Sequence, residues 1–397
     1  MPSPTVFRSA AAAPGDQGLL LGRAFPDQIR RTWEFYDELF ATAGAARQDV
    51  TKWGEEALEH ISALAPDLAV EIDGIAHGSG LPPHQIAALN ARTEILGRLG
   101  QQHPECSTVV HTPADGGPPV TSQTWDWHDG MRDNWFVWTV EHPDGRVVRT
   151  LTEYGIVGKI GVNSRGLGLH FNILGHRSDQ SPGRHGPWLP VHVLARLVLD
   201  RCATLDKAKA LAMGTPVAAS SALTLCDYEE GRARAATVEV SPAGRALIQP
   251  GDDGYLLHTN HFLAPNLSPG ETIGTQDPDT YHRFEALQKR TRPLDAPDRG
   301  ALLQALTVHR AEGAALCCHA APTAPLGQRW ETLATVSLDV TTGHIAVHPG
   351  GPCTAQAWLH RFDTSAAETT SDLCKGILRS TLVPALGFRP VFLGRSD

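Results

Sequence analysis

The chain is poor in lysine: of its 34 basic residues, 6 are lysine and 28 arginine. That bias speaks of a GC-rich genome more than of any activity. No apolar run reaches the roughly eighteen residues that a membrane-crossing helix needs, so none is expected. The opening stretch, MPSPTVFRSAAAAPGDQGLLLGR, has no charged start, no sustained apolar core and no clean cleavage site, so no secretory signal is read there. There is no basic block, and the net charge is −9, which argues against nucleic acid or anionic lipid as the main partner. The seven cysteines are odd in number and irregularly spaced. They form no disulfide framework and point to reduced thiols in a cytoplasmic protein. Internal repeats and low-complexity linkers are also missing. What remains is 397 residues with an ordinary 41% of hydrophobic positions, enough for one large core or two smaller ones.

The hydrophobic pattern divides this length in two. Residues 1–25, rich in Ala, Pro and Gly, read as a frayed arm. From Pro26 to about Leu99 the period is helical, with stripes at Ile29, Trp33, Tyr36 and Leu39, then Trp53, Leu58, Ile61 and Leu64. Pro66 opens a third helix that Gly78-Ser-Gly80 ends, and Pro82-Pro83 opens a fourth running to Leu96. Beyond residue 106 the alternation of strands takes over, with hairpins around His142-Pro-Asp-Gly145, Asn163-Ser-Arg-Gly166 and Thr341-Thr-Gly343. Two helical stretches, from Pro187 and from Leu205, stand between two sets of strands. Two more follow at Pro278–Arg290 and Arg299–Val308. This order predicts a layered α+β sandwich and not an alternating parallel sheet. One unit is expected, a helical segment 1–105 packed on a strand-rich portion 106–397.

The join between the two is Glu105-Cys106-Ser-Thr108. Cys106 opens a strand, Pro113 to Pro119 supplies a turn, and Val120 to Trp127 forms the partner strand with Asp126 near its end. A thiol at such a join becomes a new chain terminus if the Glu105–Cys106 bond is cut. That is the logic of an N-terminal nucleophile hydrolase, whose nucleophile and base are the side chain and α-amine of one residue. The reference pKa of that amine, about 7.7–8.0, suits it to accept a thiol proton near neutral pH.

Several landmarks then follow in order: Cys106-Ser-Thr, Gln123-Thr-Trp-Asp-Trp127, Gly161-Val-Asn-Ser-Arg-Gly-Leu167 with Phe171-Asn172, and His258-Thr-Asn-His-Phe262. Arg283, Cys318-His319 and Gly350-Gly-Pro-Cys353 complete the series. With these, the chain from about Phe25 to Phe362 resembles the isopenicillin N acyltransferase-like family of autoproteolytic cysteine Ntn-hydrolases, relatives of the choloylglycine hydrolases. The resemblance implies a four-layer αββα sandwich with a helical N-terminal prosegment and self-cleavage before Cys106. It also implies acyl transfer or amide hydrolysis without metal or organic cofactor.

The resemblance assigns roles residue by residue. Cys106 is the nucleophile and Asp126 fixes its amine and thiol; holding backbone amides of the hairpin is the structural alternative for that carboxylate. Asn260 donates to the oxyanion, where an amide NH₂ is worth roughly 3–4 kcal/mol in well-studied cases. Asn172 is a second site asparagine. The family counterpart of Arg283 lies near the nucleophile, with a solvated helix face, shared with Glu285, Lys289 and Arg290, as the alternative. Three departures stand out: Gln123 where choloylglycine hydrolases carry arginine, Thr124 where acyltransferase-like relatives commonly carry Asn, and Glu105 where relatives have Gly or another small residue.

Other candidates read as structural. Cys202, Cys226, Cys353 and Cys374 lie in apolar or mixed surroundings. Cys317-Cys318-His319 lacks a second ligand pair at zinc spacing, so no metal is expected. His170, His176, His185 and His192 read as core or surface histidines. Two functions of different class remain. One is an enzyme that takes an acyl group from a thioester or amide onto Cys106 and passes it to an amine or water, its processed chains forming a heterodimer. The other is a non-catalytic homologue, or an unprocessed precursor, that binds a small molecule.

Overall fold

The computed structural model describes residues 4–101, 106–180, 186–321, 323–325 and 327–355. All of them fall in one unit, Met1–Ser365, and the second unit, Ala366–Asp397, lies outside them. Glu105, His185, Phe362 and Cys374, named above, lie outside the described residues as well.

The N-terminal residues do not form a frayed arm. Val6–Ser9 is a strand, β1, and Pro14–Ala24 a helix, α1. The small residues that suggested disorder serve close packing instead. In α4 (Pro66–Ser79), Gly74 lies against the Gly15 carbonyl, and in α1 Gly18 lies against the Glu71 carbonyl. Neither has room for a Cβ, so the two backbones meet only through glycine. The other helices are α2 (Pro26–Thr42), α3 (Arg47–Leu64), α5 (Pro83–Asn90) and α6 (Arg92–Arg98). The fourth helix of the sequence reading is thus two, broken at Ala91. The break frees Asn90 to bond across the fold, its Nδ2 to the Gly155 carbonyl at 2.9 Å and its Oδ1 to the Val157 amide at 3.0 Å.

Strands then follow as predicted: β2 (Ser107–His111), β3 (Val120–His128), β4 (Trp135–Glu141), β5 (Val147–Glu153), β6 (Ile160–Asn163) and β7 (Leu167–Ile173). Helices α7 (Val191–Arg201) and α8 (Leu205–Gly214) precede β8 (Ser221–Glu229), β9 (Arg232–Ser241), β10 (Gly244–Ile248) and β11 (Tyr255–His258). The chain continues through α9 (Ile273–Gln276), α10 (Asp279–Thr291), α11 (Arg299–Ala305), β12 (Trp330–Asp339), β13 (His344–Pro349) and α12 (Pro352–Ala355). None of the described helices is long and apolar enough to cross a membrane.

Two sheets result. The larger runs β1-β4-β5-β6-β7-β8-β9-β10 and the smaller β11-β2-β3-β12-β13. All pairings are antiparallel except β1 with β4. Along β7 the alternation is decisive. Gly168 faces Leu338 in the smaller sheet's strand β12 and Val340 just after it, His170 faces Gln123 and Asn172 faces Thr108, whereas Phe171 turns to His192 on α7. The two sheets therefore pack face to face, with α7 and α8 outside the larger. Helices α10 and α11 cover the smaller, through a core of Val109, Tyr255, Leu257, Leu287, Leu302 and Leu306. This is the four-layer αββα sandwich in an α+β protein.

The N-terminal helices are fastened to it by buried charge. Arg196 on α7 holds Glu71 on α4 through two bonds of 2.9 and 3.0 Å. Removing Arg196 leaves the Glu71 carboxylate without its counter-charge, at a cost of about 3–5 kcal/mol, whereas Arg196 is held a second time by Asp200 at 2.9 Å.

Candidate active site

Cys106 sits where β2 begins, one residue before the Ser107–Thr124 pair. Its thiol is buried, and Sγ points to the Asp126 carbonyl at 3.7 Å. Asp126, fully buried on β3, lies opposite Thr332 of β12, and the ladder slips between Thr332 and Ala334. Such a bulge re-aims the side chains on either side of it.

The backbone carbonyl of Cys106 is a meeting point. Asn172 Nδ2 donates to it at 3.2 Å and Arg283 Nη1 at 2.9 Å. Thr108 Oγ1 donates to Asn172 Oδ1 at 2.7 Å, which sets the amide's orientation. Arg283 is 1% exposed, so the solvated-face reading of this arginine is overturned. Its fork reaches Ser107 Oγ at 3.1 Å and Asn260 Oδ1 at 3.0 Å, while Nε donates to Asp279 at 3.1 Å. Only a planar guanidinium supplies donors in so many directions from one position. Asn260 follows β11 and is buried; with its oxygen held by Arg283, its Nδ2 donates to the Ile173 carbonyl at 2.8 Å. An amide NH₂ carries two hydrogens, and Ile173 takes one of them.

Gln123, standing where an arginine was noted in relatives, joins the sheets. Its Nε2 donates to the Phe171 carbonyl at 2.7 Å, and its Oε1 accepts from the Phe171 amide at 3.3 Å and meets His170 Nδ1 at 3.0 Å. Thr124 Oγ1 accepts from the Ser107 amide at 3.2 Å.

Four residues that sequence reasoning missed lie beside the thiol: Tyr36, Arg92, Glu153 and Lys159. All are buried. Glu153 accepts from Tyr36 Oη, from Lys159 Nζ, and from Arg92 Nη2 at 3.0 Å. The Lys159 ammonium lies 3.9 Å from the centre of the Trp125 ring, and the Arg92 guanidinium 4.1 Å from that of Trp127. The one visible signal was Lys159 itself, a rare lysine inside an apolar strand run; the others come from three distant elements and carry no local motif.

The electrostatics follow from burial. The Cys106 thiol is pushed up to about 12 by burial and by the Asp126 charge, against the pull of Lys159 and Arg283. Burial draws Lys159 down to about 7, against the attraction of Glu153. Burial works to raise Glu153, but the charges of Arg92 and Lys159 override it and hold the carboxyl at about 2. Cations that favour a thiolate here include Lys159, Arg283 and Arg92, with Gln123 contributing none.

The nearby histidines are engaged elsewhere. His258 Nε2 lies 3.0 Å from Glu239 and its Nδ1 2.8 Å from the Thr259 carbonyl oxygen. His261 meets Thr259 and Thr280 hydroxyls, both at 3.1 Å, and burial lowers it to about 3. A thiol so far from ionising, with no histidine as partner among these contacts, needs another base.

Comparison with known proteins agrees with this geometry. The family model described as acyl-coenzyme A:6-aminopenicillanic acid acyl-transferase matches residues 113–312, just over half of the chain. That span holds Asp126, Asn172, Asn260 and Arg283 and begins after Cys106. The acyl-coenzyme A:6-aminopenicillanic-acid-acyltransferase 40 kDa form of Emericella nidulans is 28% identical over 218 residues. The match spans 55% of this chain and 58% of that one. Among solved structures, an N-acylethanolamine-hydrolyzing acid amidase ortholog of Caenorhabditis elegans superposes with a TM-score of 0.42 at 12% identity, over 59% of this chain and 93% of that one. Penicillin V acylase of Agrobacterium tumefaciens gives 0.42 at 16% identity, over 62% and 83%. Both likenesses are loose, and nothing in the site rests on them. The family match and the arrangement of the sandwich lead to one conclusion: the chain belongs to the acyl-coenzyme A:6-aminopenicillanic acid acyl-transferase family.

Proposed function

We propose that this protein is a self-processing cysteine N-terminal nucleophile enzyme that forms an acyl-enzyme on Cys106 and passes the acyl group to an amine or to water. The observation that carries it is the position of Cys106: immediately before the inner strand β2, its carbonyl held by Asn172 and Arg283 and its thiol against Asp126. In the first stage Sγ attacks the carbonyl carbon of residue 105 and the Glu105–Cys106 peptide bond breaks. The acyl group moves from nitrogen to sulfur, the nitrogen takes up a proton, and water then hydrolyses the thioester. A residue-105 carboxylate, a free thiol and a free α-amine result.

The second stage uses that amine. The peptide nitrogen of the uncut chain has no useful basicity, whereas the α-amine accepts the thiol proton as Sγ attacks a small acyl donor, a thioester or an amide. Asn260 is the donor placed for the developing oxyanion, its amide turned by Arg283; Asp126 orients the amine. The leaving thiol or amine departs with the proton, and an amine acceptor or water releases the acyl group from sulfur. Neither stage calls on metal or organic cofactor. The ion pairs that bind the helical segment to the sandwich support two chains, 1–105 and 106–397, that stay together as a heterodimer after the cut.

Intact-mass measurement tests the first stage: two fragments divided at Glu105–Cys106 are expected, and a single full-length mass after long incubation refutes it. A panel of acyl thioesters and N-acyl amines, with and without amine acceptors, tests the second. Turnover is expected in wild type and absent in Cys106→Ala, and equal turnover in both would overturn the assignment.

A further inference from the structure

Outside the nucleophile's surroundings, one cluster of ligand-type side chains has no part in the chemistry above. The sequence offered only Cys317-Cys318-His319 and no second pair. Folding supplies that pair from two distant places. The Cys317 amide bonds to the Val308 carbonyl at 2.9 Å and closes a loop that brings His309 beside Cys317 and His319. Cys353, in α12, arrives from the far side of the smaller sheet's last hairpin. One nitrogen or sulfur atom from each of His309, Cys317, His319 and Cys353 lies within 4.8 Å of every other.

The spacing is that of a coordination shell. His319 Nε2 lies 3.6 Å from Cys317 Sγ and 3.5 Å from Cys353 Sγ. A tetrahedral zinc with Zn–S of about 2.3 Å and Zn–N of about 2.0–2.1 Å sets its sulfur and nitrogen ligands about 3.5–3.6 Å apart. The approach of the chain is also tailored. At Gly351 a Cβ would stand 2.5 Å from Cys317 Sγ, so only glycine lets the turn carrying Cys353 come this close. A carboxylate of the kind that orients metal-bound histidines is present on one side: Glu312 Oε2 lies 3.4 Å from His309 Nδ1. Cys318 is not part of the cluster; its Sγ turns to the Trp330 carbonyl at 3.4 Å.

We propose that His309, Cys317, His319 and Cys353 form a structural zinc site. Two thiolates and two imidazoles are the donor set of a borderline-soft tetrahedral ion, and four protein ligands leave no position for substrate. Binding displaces one proton from each thiol, two per zinc, and yields a neutral centre. The site pins the 308–319 loop and the α12 turn to β12. Cys318 and Thr332 exchange bonds there, Cys318 N to Thr332 Oγ1 at 2.9 Å and Thr332 N to the Cys318 carbonyl at 3.0 Å, and Thr332 is the residue paired with Asp126. The zinc would thus brace the wall behind the nucleophile's carboxylate without entering the reaction.

The test is metal content by elemental mass spectrometry on full-length protein, purified under reducing conditions without chelator. One zinc per chain is expected, falling at least tenfold in His319→Ala and in Cys353→Ser. His319 is exposed, so its replacement spares the fold, which circular dichroism verifies. Cobalt added to stripped wild type should give the visible bands of a tetrahedral ion with thiolate charge transfer, weaker in Cys353→Ser. Zinc retained at the wild-type level by both variants overturns the proposal. So does a reduced wild type that takes up no zinc in competition with a chromophoric chelator, or a Cys317–Cys353 disulfide found by peptide mapping of freshly isolated protein.

Discussion

Arg283 donates to the carbonyl oxygen of Cys106 at 2.9 Å and, with its other terminal nitrogen, to Asn260 Oδ1 at 3.0 Å. One buried guanidinium on α10 therefore couples the backbone of Cys106, the proposed nucleophile, to the amide proposed for the oxyanion. The position has a simple origin: Leu287, one turn on, belongs to the apolar core beneath the smaller sheet, and Arg283 shares its face.

Replacing Arg283 by lysine keeps a charge but loses the fork. We expect Arg283→Lys to slow both self-cleavage and turnover about a hundredfold or more, since two positioned groups lose their donors together. Time-resolved intact mass and steady-state kinetics read the two separately. Normal cleavage with normal turnover would reduce Arg283 to a packing residue.

Asn260→Ala removes the amide while Arg283 and the Cys106 carbonyl stay in place. Turnover of the processed enzyme is expected to fall about a hundredfold or more, in kcat more than in KM, because the bond matters only once charge develops. Asn172→Ala should differ. Its amide grips the ground-state Cys106 carbonyl and Thr108, so the first effect expected is a lower melting temperature. Near-normal kcat in processed Asn260→Ala would leave the bonds to Ile173 and Arg283 as that side chain's whole purpose.

The strands, and the join at which Cys106 stands, were legible because their signals are local. Alternation from Ser107 to His111, a turn, and alternation again place Asp126 in the hairpin without any structure. Proline and glycine punctuation placed most helix ends. The errors arose where meaning depends on a partner. The glycines of α1 looked like disorder, but each lies against a backbone atom of α4 some fifty residues away in sequence. Glu153 collects Tyr36, Arg92 and Lys159 from separate elements, and His309 meets Cys353 across a hairpin; no spacing announces either cluster. Gln123 was legible only as a departure from the family's arginine; that its side chain serves the seam between sheets depends on Phe171 and His170, which come from another strand.

Buried neutral histidines predict acid sensitivity. His170 and His261 are each held at about 3 by burial, and His192 is lowered well below its ordinary range. For His170 and His261 the unfolded chain takes up the proton below about pH 6.5, whereas the folded chain does not until near pH 3, so the unfolded state binds more protons in between. The stability they represent is full above about pH 6.5 and is lost as the pH falls toward 3, on the order of 2 kcal/mol per histidine by pH 5. Because Lys159 also titrates near 7, the midpoints are read as the difference between wild type and His170→Phe from about pH 8 to pH 5, which should be level at first and then shift against the wild type. A difference constant to pH 5 would show that this ring is protonated in the native state.

The last prediction concerns Lys159 and the reactivity of the thiol before cleavage. A thiol moved from about 9 to about 12 holds roughly a thousandth of the usual thiolate. In an uncut chain, obtained as Glu105→Pro, alkylation of Cys106 by iodoacetamide should be about a thousandfold slower than that of an ordinary cysteine. Its pH dependence carries the role of Lys159. Below about 7 the lysine is charged and supports the thiolate; as the pH rises through 7 that support is withdrawn. The logarithm of the rate should climb by one per pH unit well below 7, flatten across it, and resume the unit slope above, as coupled titrations require. In Lys159→Met on the same uncut background, the slope should stay at one throughout, with the rate below pH 7 several-fold lower. A wild-type plot that is straight through pH 7 and coincides with that of Lys159→Met would show that the ammonium serves Glu153 and the Trp125 ring alone.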